Sequence, residues 1–134
     1  MLKLYPNEVK LVYKNFPLRN HKLAQPAALA ALAAGKQNKF WEMHDAIFEN
    51  YNKLSDEKLN ELAQQLGLDM AKFEADRNDV AFKKQIQFDL QNGYSAGVRG
   101  TPTIFINGRR VKNRNVAGFR KLIDKELAAL KSGS

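Results

Sequence analysis

The sequence contains no cysteine among its 134 residues. This absence excludes disulfides, thiolate metal sites and cysteine nucleophiles from the chain. The sequence also lacks a run of about 18 consecutive apolar residues, the length that a membrane-spanning helix requires. The opening stretch MLKLYPNEVK has neither the long apolar centre nor the small-residue cleavage site of a secretory signal. We therefore predict no membrane span, find no targeting signal, and expect either a cytoplasmic protein or a mature or trimmed form.

Histidine is scarce as well, and the two histidines do not belong to a metal-binding pattern. His44 has Glu42 and Asp45 nearby, but no second histidine lies four residues away and no cysteine is present. We interpret His44 as a packed or capping residue and predict no metal site. Because the sequence also has no Gly-rich phosphate loop and no nucleophile elbow, we predict no cofactor and no catalytic residue in this chain.

The chain is basic, with a formal net charge of +8. Its lysines and arginines are scattered over every segment, and only Asn107–Asn115, NGRRVKNRN, is locally dense. No helix-turn-helix signal, zinc pattern or row of interleaved aromatics accompanies the charge, so a solvated basic surface is favoured over a nucleic-acid partner. A basic nucleic-acid-binding protein stays open as an alternative. The residues that would contact phosphates in that case are Arg109, Arg110, Lys112 and Arg114.

The spacing of apolar residues predicts one strand, five helices, a β-hairpin and a final helix. Val9–Lys14 is β-branched and aromatic with near alternation, which predicts the strand. In the hairpin, TIFI and RRVK flank Asn107-Gly108, a dipeptide that suits a two-residue turn with positive φ. The helices are predicted at Leu23–Ala34, at Phe40–Asn50, after the capping residues Ser55, Asp69 and Asp79, and at about Val116–Leu130.

The stretch GTPTIFING places a proline at the head of the apolar TIFI segment. Proline donates no backbone hydrogen bond, so a sheet accepts it only at the first residue of a strand, at an edge or at a bulge. The residues alone favour a trans bond before Pro102, because only about 5–6% of X–Pro bonds in folded proteins are cis.

Several segments together resemble the DsbA-like branch of the thioredoxin superfamily. They are VKLVYKNFPL followed by His21 and an alanine-rich helix, then KFWEMHDAIF, then GVRGTPTIFINGRRV and a closing helix. Proteins of this branch are thiol–disulfide oxidoreductases with a helical domain inserted into a thioredoxin fold. The resemblance covers essentially the whole chain. It implies an α/β fold, with a single thioredoxin-like domain over residues 1–134 and a helical insertion at about 23–97.

The resemblance also implies a substrate-binding site. In this family the bond before the matching proline is cis and lies opposite the redox site, which leaves the backbone of the preceding residue, Thr101, open to strand addition by an extended peptide. Arg99 and Gly100 would border the peptide groove, with Arg99 offering charge-assisted bonds. The expected partners are unfolded or extended protein substrates, bound by Arg99, Gly100, Thr101 and Pro102. The alternative is a trans proline that merely begins an edge strand, with Arg99 a plain surface residue.

The Cys-x-x-Cys motif of the family has no counterpart here. By resemblance, MLKLYP matches the end of the helix that begins with those cysteines, so we expect an N-terminally truncated fold that lacks the first strand and the start of the first helix. That strand lies in the middle of the family's sheet, and its neighbours would otherwise expose unmet backbone groups. We expect a longer gene product, a second chain or cleaved piece, or a dimer that shares or swaps strands.

The expected function is therefore thiol–disulfide exchange on protein substrates, performed by the complete protein, with this chain inactive alone. Whether it oxidises, reduces or isomerises disulfides depends on residues beside the absent cysteines. The resemblance implies a periplasmic or otherwise extracytoplasmic location. A redox-inactive thioredoxin-like module that binds peptides, as a chaperone or adaptor, is the main alternative.

Overall fold

The computed structural model describes residues 1–133, and these residues contain six α-helices, a short 3₁₀ helix and a β-hairpin. None of the helices in this part of the chain combines the length and the apolar character needed to cross a membrane. The elements are α1 Ala24–Gly35, α2 Phe40–Glu49, the 3₁₀ helix Tyr51–Lys53, α3 Asp56–Gln65, α4 Met70–Arg77, α5 Val80–Ser95, β1 Phe105–Ile106, β2 Arg109–Arg110 and α6 Val116–Ser132.

The chain divides into two compact units. The helical unit is the continuous stretch Asn15–Gly97, and the hairpin unit combines Met1–Lys14 with residues 98–133. The first contains α1 to α5, and the second contains β1, β2 and α6. The assignment of residues 1–134 to a single domain with an insertion at about 23–97 stays a prediction.

The helical unit is built around the alanine-rich α1, which packs against α2, α3, α4 and α5. Three of its alanines, Ala30, Ala33 and Ala34, are fully buried, and their small side chains allow neighbouring helices to approach closely. The largest fully buried side chains of the unit are Phe73, Met43, Leu59 and Ile86. Because apolar burial is the main favourable term in folding, this cluster stabilises the unit.

Short polar side chains begin three helices of the helical unit, as the sequence predicts. Ser55 Oγ accepts a hydrogen bond from the Lys58 backbone N–H at 3.0 Å. Asp69 and Asp79 likewise accept bonds from N–H groups of the first turns of α4 and α5, at 3.1 and 2.9 Å. Each bond satisfies an N–H that has no partner within its helix. The helix starts are therefore fixed by local sequence.

A buried polar pair, absent from the sequence-based predictions, anchors the start of the helical unit. Asp89 Oδ2 on α5 accepts hydrogen bonds from both the backbone N–H and the side-chain Nδ2 of Asn15, each at 3.0 Å. Both residues are only 5% exposed. Since a buried carboxylate is costly unless it is hydrogen-bonded, the two bonds make this burial possible.

The hairpin unit contains the antiparallel pair β1–β2, with Ile106 opposite Arg109. Asn107 and Gly108 have φ values of 47° and 78°, which confirms the predicted turn with positive φ at both positions. Beyond the strands, the Val111 N–H donates to the Ile104 carbonyl at 2.9 Å, so the pairing continues for one more bond.

The predicted strand at Val9–Lys14 is wrong, because the structure assigns this segment no strand. The predicted TIFI and RRVK strands are also shorter than expected, with two paired residues each. A strand exists only where a second strand hydrogen-bonds to it, and residues 1–133 offer no strand partner to Val9–Lys14. The expected missing N-terminal segment and the strand-sharing dimer stay predictions.

Candidate functional site

A tight loop, Gly100–Ile104, leads into β1. The peptide bond between Thr101 and Pro102 is cis, and both residues are exposed. The Thr103 hydroxyl donates a 2.7 Å hydrogen bond to the Gly100 carbonyl, which closes the loop across these two residues. The loop therefore presents Thr101 and Pro102 at the surface.

The backbone of Thr101 is open. Within residues 1–133, neither its N–H nor its carbonyl has a hydrogen-bond partner. The neighbouring Pro102 carbonyl, in contrast, accepts a 2.6 Å hydrogen bond from Arg114 Nη1. An exposed N–H and carbonyl just ahead of a strand can pair with another extended chain. The loop thus offers one backbone donor and one backbone acceptor to a ligand.

The loop and the segment after β2 enclose an open groove of about 450 Å³. The lining residues are Gly100, Thr101, Pro102, Thr103, Ile104, Arg110, Val111, Lys112 and Arg114. This set contains three cationic side chains, no carboxylate and no aromatic ring. The groove therefore combines the open backbone of Thr101 with positive charge.

The structure brings together three of the four predicted site residues. Gly100, Thr101 and Pro102 all line the groove, whereas Arg99 does not belong to its lining. The Arg99 guanidinium donates to the Val98 carbonyl at 2.9 Å. Sequence reasoning missed Arg114 as a residue that positions the loop. The local density of cations in NGRRVKNRN was the available signal, but it gave no indication of a contact with Pro102.

His44 lies on α2 among aromatic rings. Its ring centroid is 4.6 Å from that of Phe48 and 5.4 Å from that of Trp41. Its Nδ1 is 3.2 Å from Asp45 Oδ1. These contacts agree with the prediction of a packed histidine. In the part of the chain that the structure describes, no group of three or more His, Asp or Glu side chains is placed to hold a metal ion.

Comparison with known protein families gives a direct assignment. The family model described as Thioredoxin matches residues 3–125. The chain therefore belongs to the thioredoxin family. Together with the mixed helices and hairpin of the structure, this confirms the prediction of an α/β thioredoxin-like fold.

Curated relatives of the chain are much longer proteins. The Na(+)/H(+) antiporter NhaA 1 of Salinispora arenicola is 39% identical over 103 residues, which cover 76% of this chain and 16% of that protein. The Na(+)/H(+) antiporter NhaA of Herminiimonas arsenicoxydans is 32% identical over 108 residues, which cover 81% of this chain and 17% of that protein. The chain thus spans about one sixth of the length of these relatives.

Proposed function

We propose that this chain is the peptide-docking part of a DsbA-like thiol–disulfide oxidoreductase that acts on unfolded or extended protein substrates. The observation that carries the proposal is the open backbone of Thr101 in the loop that leads into β1. A substrate segment in extended conformation accepts a hydrogen bond from the Thr101 N–H and donates one to its carbonyl, which is binding by strand addition. Such bonds involve only backbone groups, so they suit substrates of many sequences.

The chemistry itself requires sulfur from outside these residues. In thiol–disulfide exchange a thiolate attacks one sulfur of a disulfide, a new S–S bond forms, and the second sulfur leaves as a thiolate. This chain has no cysteine, so it provides neither the attacking nor the resolving sulfur. A Cys-x-x-Cys pair in the complete protein supplies them, in a periplasmic or otherwise extracytoplasmic compartment. The chain alone binds peptide without redox turnover.

A redox-inactive peptide-binding module is the second candidate, favoured by the absence of cysteine beside an intact docking loop. Such a module acts as a chaperone or adaptor and needs only the Thr101 edge. An insulin-reduction assay on the complete gene product separates the two candidates. Turnover supports the oxidoreductase, and peptide binding without turnover supports the module.

The names of the curated relatives raise the question of ion transport. The names of the curated relatives refer to Na(+)/H(+) antiport, but the matching region is about one sixth of each of those proteins. We therefore propose no transport activity for this chain.

Peptide docking is tested with two variants of one residue. Thr101→Pro removes the backbone N–H, because proline has no amide proton, whereas Thr101→Ala keeps it. Binding of a fluorescently labelled, S-alkylated insulin B chain is followed by fluorescence anisotropy. One lost hydrogen bond of about 1.4 kcal/mol weakens binding about tenfold, so we expect that loss for Thr101→Pro and a change under about twofold for Thr101→Ala. Equal affinities of the two variants would contradict docking at Thr101.

A further inference from the structure

The two arginine side chains of β2 lie on opposite faces of the hairpin. Successive side chains of a strand point to opposite sides, so Arg109 and Arg110 face apart. Arg109 Nε lies 2.7 Å from Glu126 Oε1 on α6, which neutralises that charge. Arg110 lines the groove, and so do Lys112, two residues further along, and the buried Val111 between them.

The cations in the groove have no such neutralisation. Among residues 1–133, no carboxylate forms an ion pair with Arg110, Lys112 or Arg114. The Arg114 guanidinium donates to a neutral acceptor, the Pro102 carbonyl. None of the other lining residues is acidic. A cleft lined by charge of one sign raises the local concentration of ligands of the opposite sign.

We propose that this groove selects extended polypeptides that carry acidic side chains. The inference rests on the proposed function for the place where the peptide binds, and it adds which substrates bind best. A peptide paired with Thr101 runs past Arg110, Lys112 and Arg114, and its Glu or Asp side chains there accept charge-assisted hydrogen bonds. Guanidinium groups match carboxylates particularly well, because their N–H groups form a planar fork.

A polypeptide fits the groove better than a nucleic acid does. Proteins that bind single-stranded nucleic acid provide aromatic side chains on which bases stack, and no aromatic residue lines this groove. The open N–H and carbonyl of Thr101 match the alternating backbone groups of an extended peptide. The lining therefore favours an acidic peptide over a phosphate backbone.

The first part of the test uses the wild-type chain and two labelled, cysteine-free peptides of equal length. The peptides differ only at three positions, which are Glu in one and Gln in the other. Because exposed ion pairs contribute modestly and are screened by salt, we expect the Glu peptide to bind about tenfold tighter at low salt, and less than about threefold tighter at about 0.5 M salt. Equal binding of both peptides at low salt overturns the inference and leaves the proposed function standing. Failure of both peptides to bind contradicts the proposed function itself.

The second part assigns the preference to the groove. The double variant Arg110→Gln/Lys112→Gln is expected to lose most of the preference for Glu, because it removes two of the three cations that line the groove. Arg109→Gln is the matched control, because it removes a cation from the same hairpin on the face where Glu126 already neutralises it. We expect this control to keep the preference. The inference is overturned if Arg109→Gln alone loses the preference. It is also overturned if a single-stranded DNA oligonucleotide binds more tightly than the Glu peptide.

Discussion

The two units of the chain differ in how many of their apolar side chains are buried. Of the buried apolar residues that the structure describes, all but Val98, Val111 and Ile123 belong to the helical unit. Among the described residues, the hairpin unit leaves eight large apolar side chains exposed, against six in the longer helical unit; the eight are Leu2, Leu4, Leu11, Val12, Tyr13, Phe105, Val116 and Leu130. Yet the groove and the open Thr101 backbone lie entirely in the hairpin unit. The comparison indicates that most of the stabilising core and the candidate site occupy different parts of the chain.

The difference has a physical reason. Burial of apolar surface contributes about 25 cal/mol per Å², so a unit with few buried side chains gains little from it. Open backbone groups, in turn, are available for binding only where they are left out of the protein's own sheet or helices. Regions that bind ligands are commonly drawn from the less stable parts of a structure.

The largest expected effect is in the core of the helical unit. Phe73 on α4 is 0% exposed, and Phe73→Ala is expected to lower the free energy of unfolding by about 3–5 kcal/mol, because it leaves a cavity among packed side chains. Urea denaturation followed by circular dichroism measures this loss. The control is Phe48→Ala on α2, where the ring is 61% exposed and stands against His44. We expect a loss of about 1 kcal/mol or less there, and equal losses would contradict the contrast between core and surface.

An intermediate effect is expected in the hairpin unit at Gly118, in the first turn of α6. A Cβ at this position would overlap the Asn113 carbonyl oxygen, a backbone atom that cannot easily move away. We expect Gly118→Ala to cost about 1–3 kcal/mol, as overpacking usually does, despite the better helix propensity of alanine. The backbone movement that relieves this overlap is also expected to displace the segment that carries Arg114, so peptide binding is expected to weaken.

Hydrogen exchange shows where the Gly118→Ala effect is confined. Amides of α6 are expected to exchange faster, with those of α1 to α4 unchanged. Gly100→Ala is the control for stability, since an added Cβ there meets no atom within 4 Å. A change under about 0.5 kcal/mol is expected for it. Faster exchange throughout the helical unit in Gly118→Ala would show that the two units do not lose stability separately.

The smallest expected effect concerns Tyr5 in the hairpin unit, whose hydroxyl donates a 2.6 Å hydrogen bond to Asp124 Oδ1. This bond, together with partial burial, raises the pKa of Tyr5 above its ordinary value of 10.0. Because the folded-state pKa is the higher one, the bond's contribution to stability is complete below pH 10 and is lost as the pH rises through the folded-state pKa. The ultraviolet titration curve of Tyr5→Phe is subtracted from that of the wild type, and the difference gives the titration of the Tyr5 hydroxyl. We expect its midpoint above pH 10 and a lower midpoint in Asp124→Asn; an unchanged midpoint would exclude Asp124 as the cause.

The sequence was most informative where structure depends on neighbouring residues. Helix starts at Ser55, Asp69 and Asp79 were predicted because a cap and its N–H partner lie within three residues of each other. The Asn107-Gly108 turn was predicted for the same reason, since its conformation depends on the two residues themselves. Predictions of this kind need no knowledge of tertiary structure.

Contacts between distant residues were beyond such reasoning. The bond between Arg114 and Pro102 joins residues twelve apart, and the buried pair of Asn15 and Asp89 joins residues 74 apart. The incorrect prediction of a strand at Val9–Lys14 has the same cause. Alternation of apolar residues is a local signal, whereas a strand forms only beside a partner strand. The groove residues around Thr101 were predicted through a family resemblance and not from periodicity.

The division of the chain makes the assembly of the hairpin unit depend on residues outside that unit. The hairpin unit is assembled from both ends of the polypeptide, and the intervening Asn15–Gly97 is one uninterrupted piece. While that piece is folded, its two ends are held at a fixed separation. Once it melts, the same piece becomes a flexible tether, and joining its ends carries an entropy cost of about (3/2)RT ln n for n residues. Melting of the helices therefore makes it more costly to bring together the two segments of the hairpin unit, Met1–Lys14 and residues 98–133, although no residue of that unit is altered.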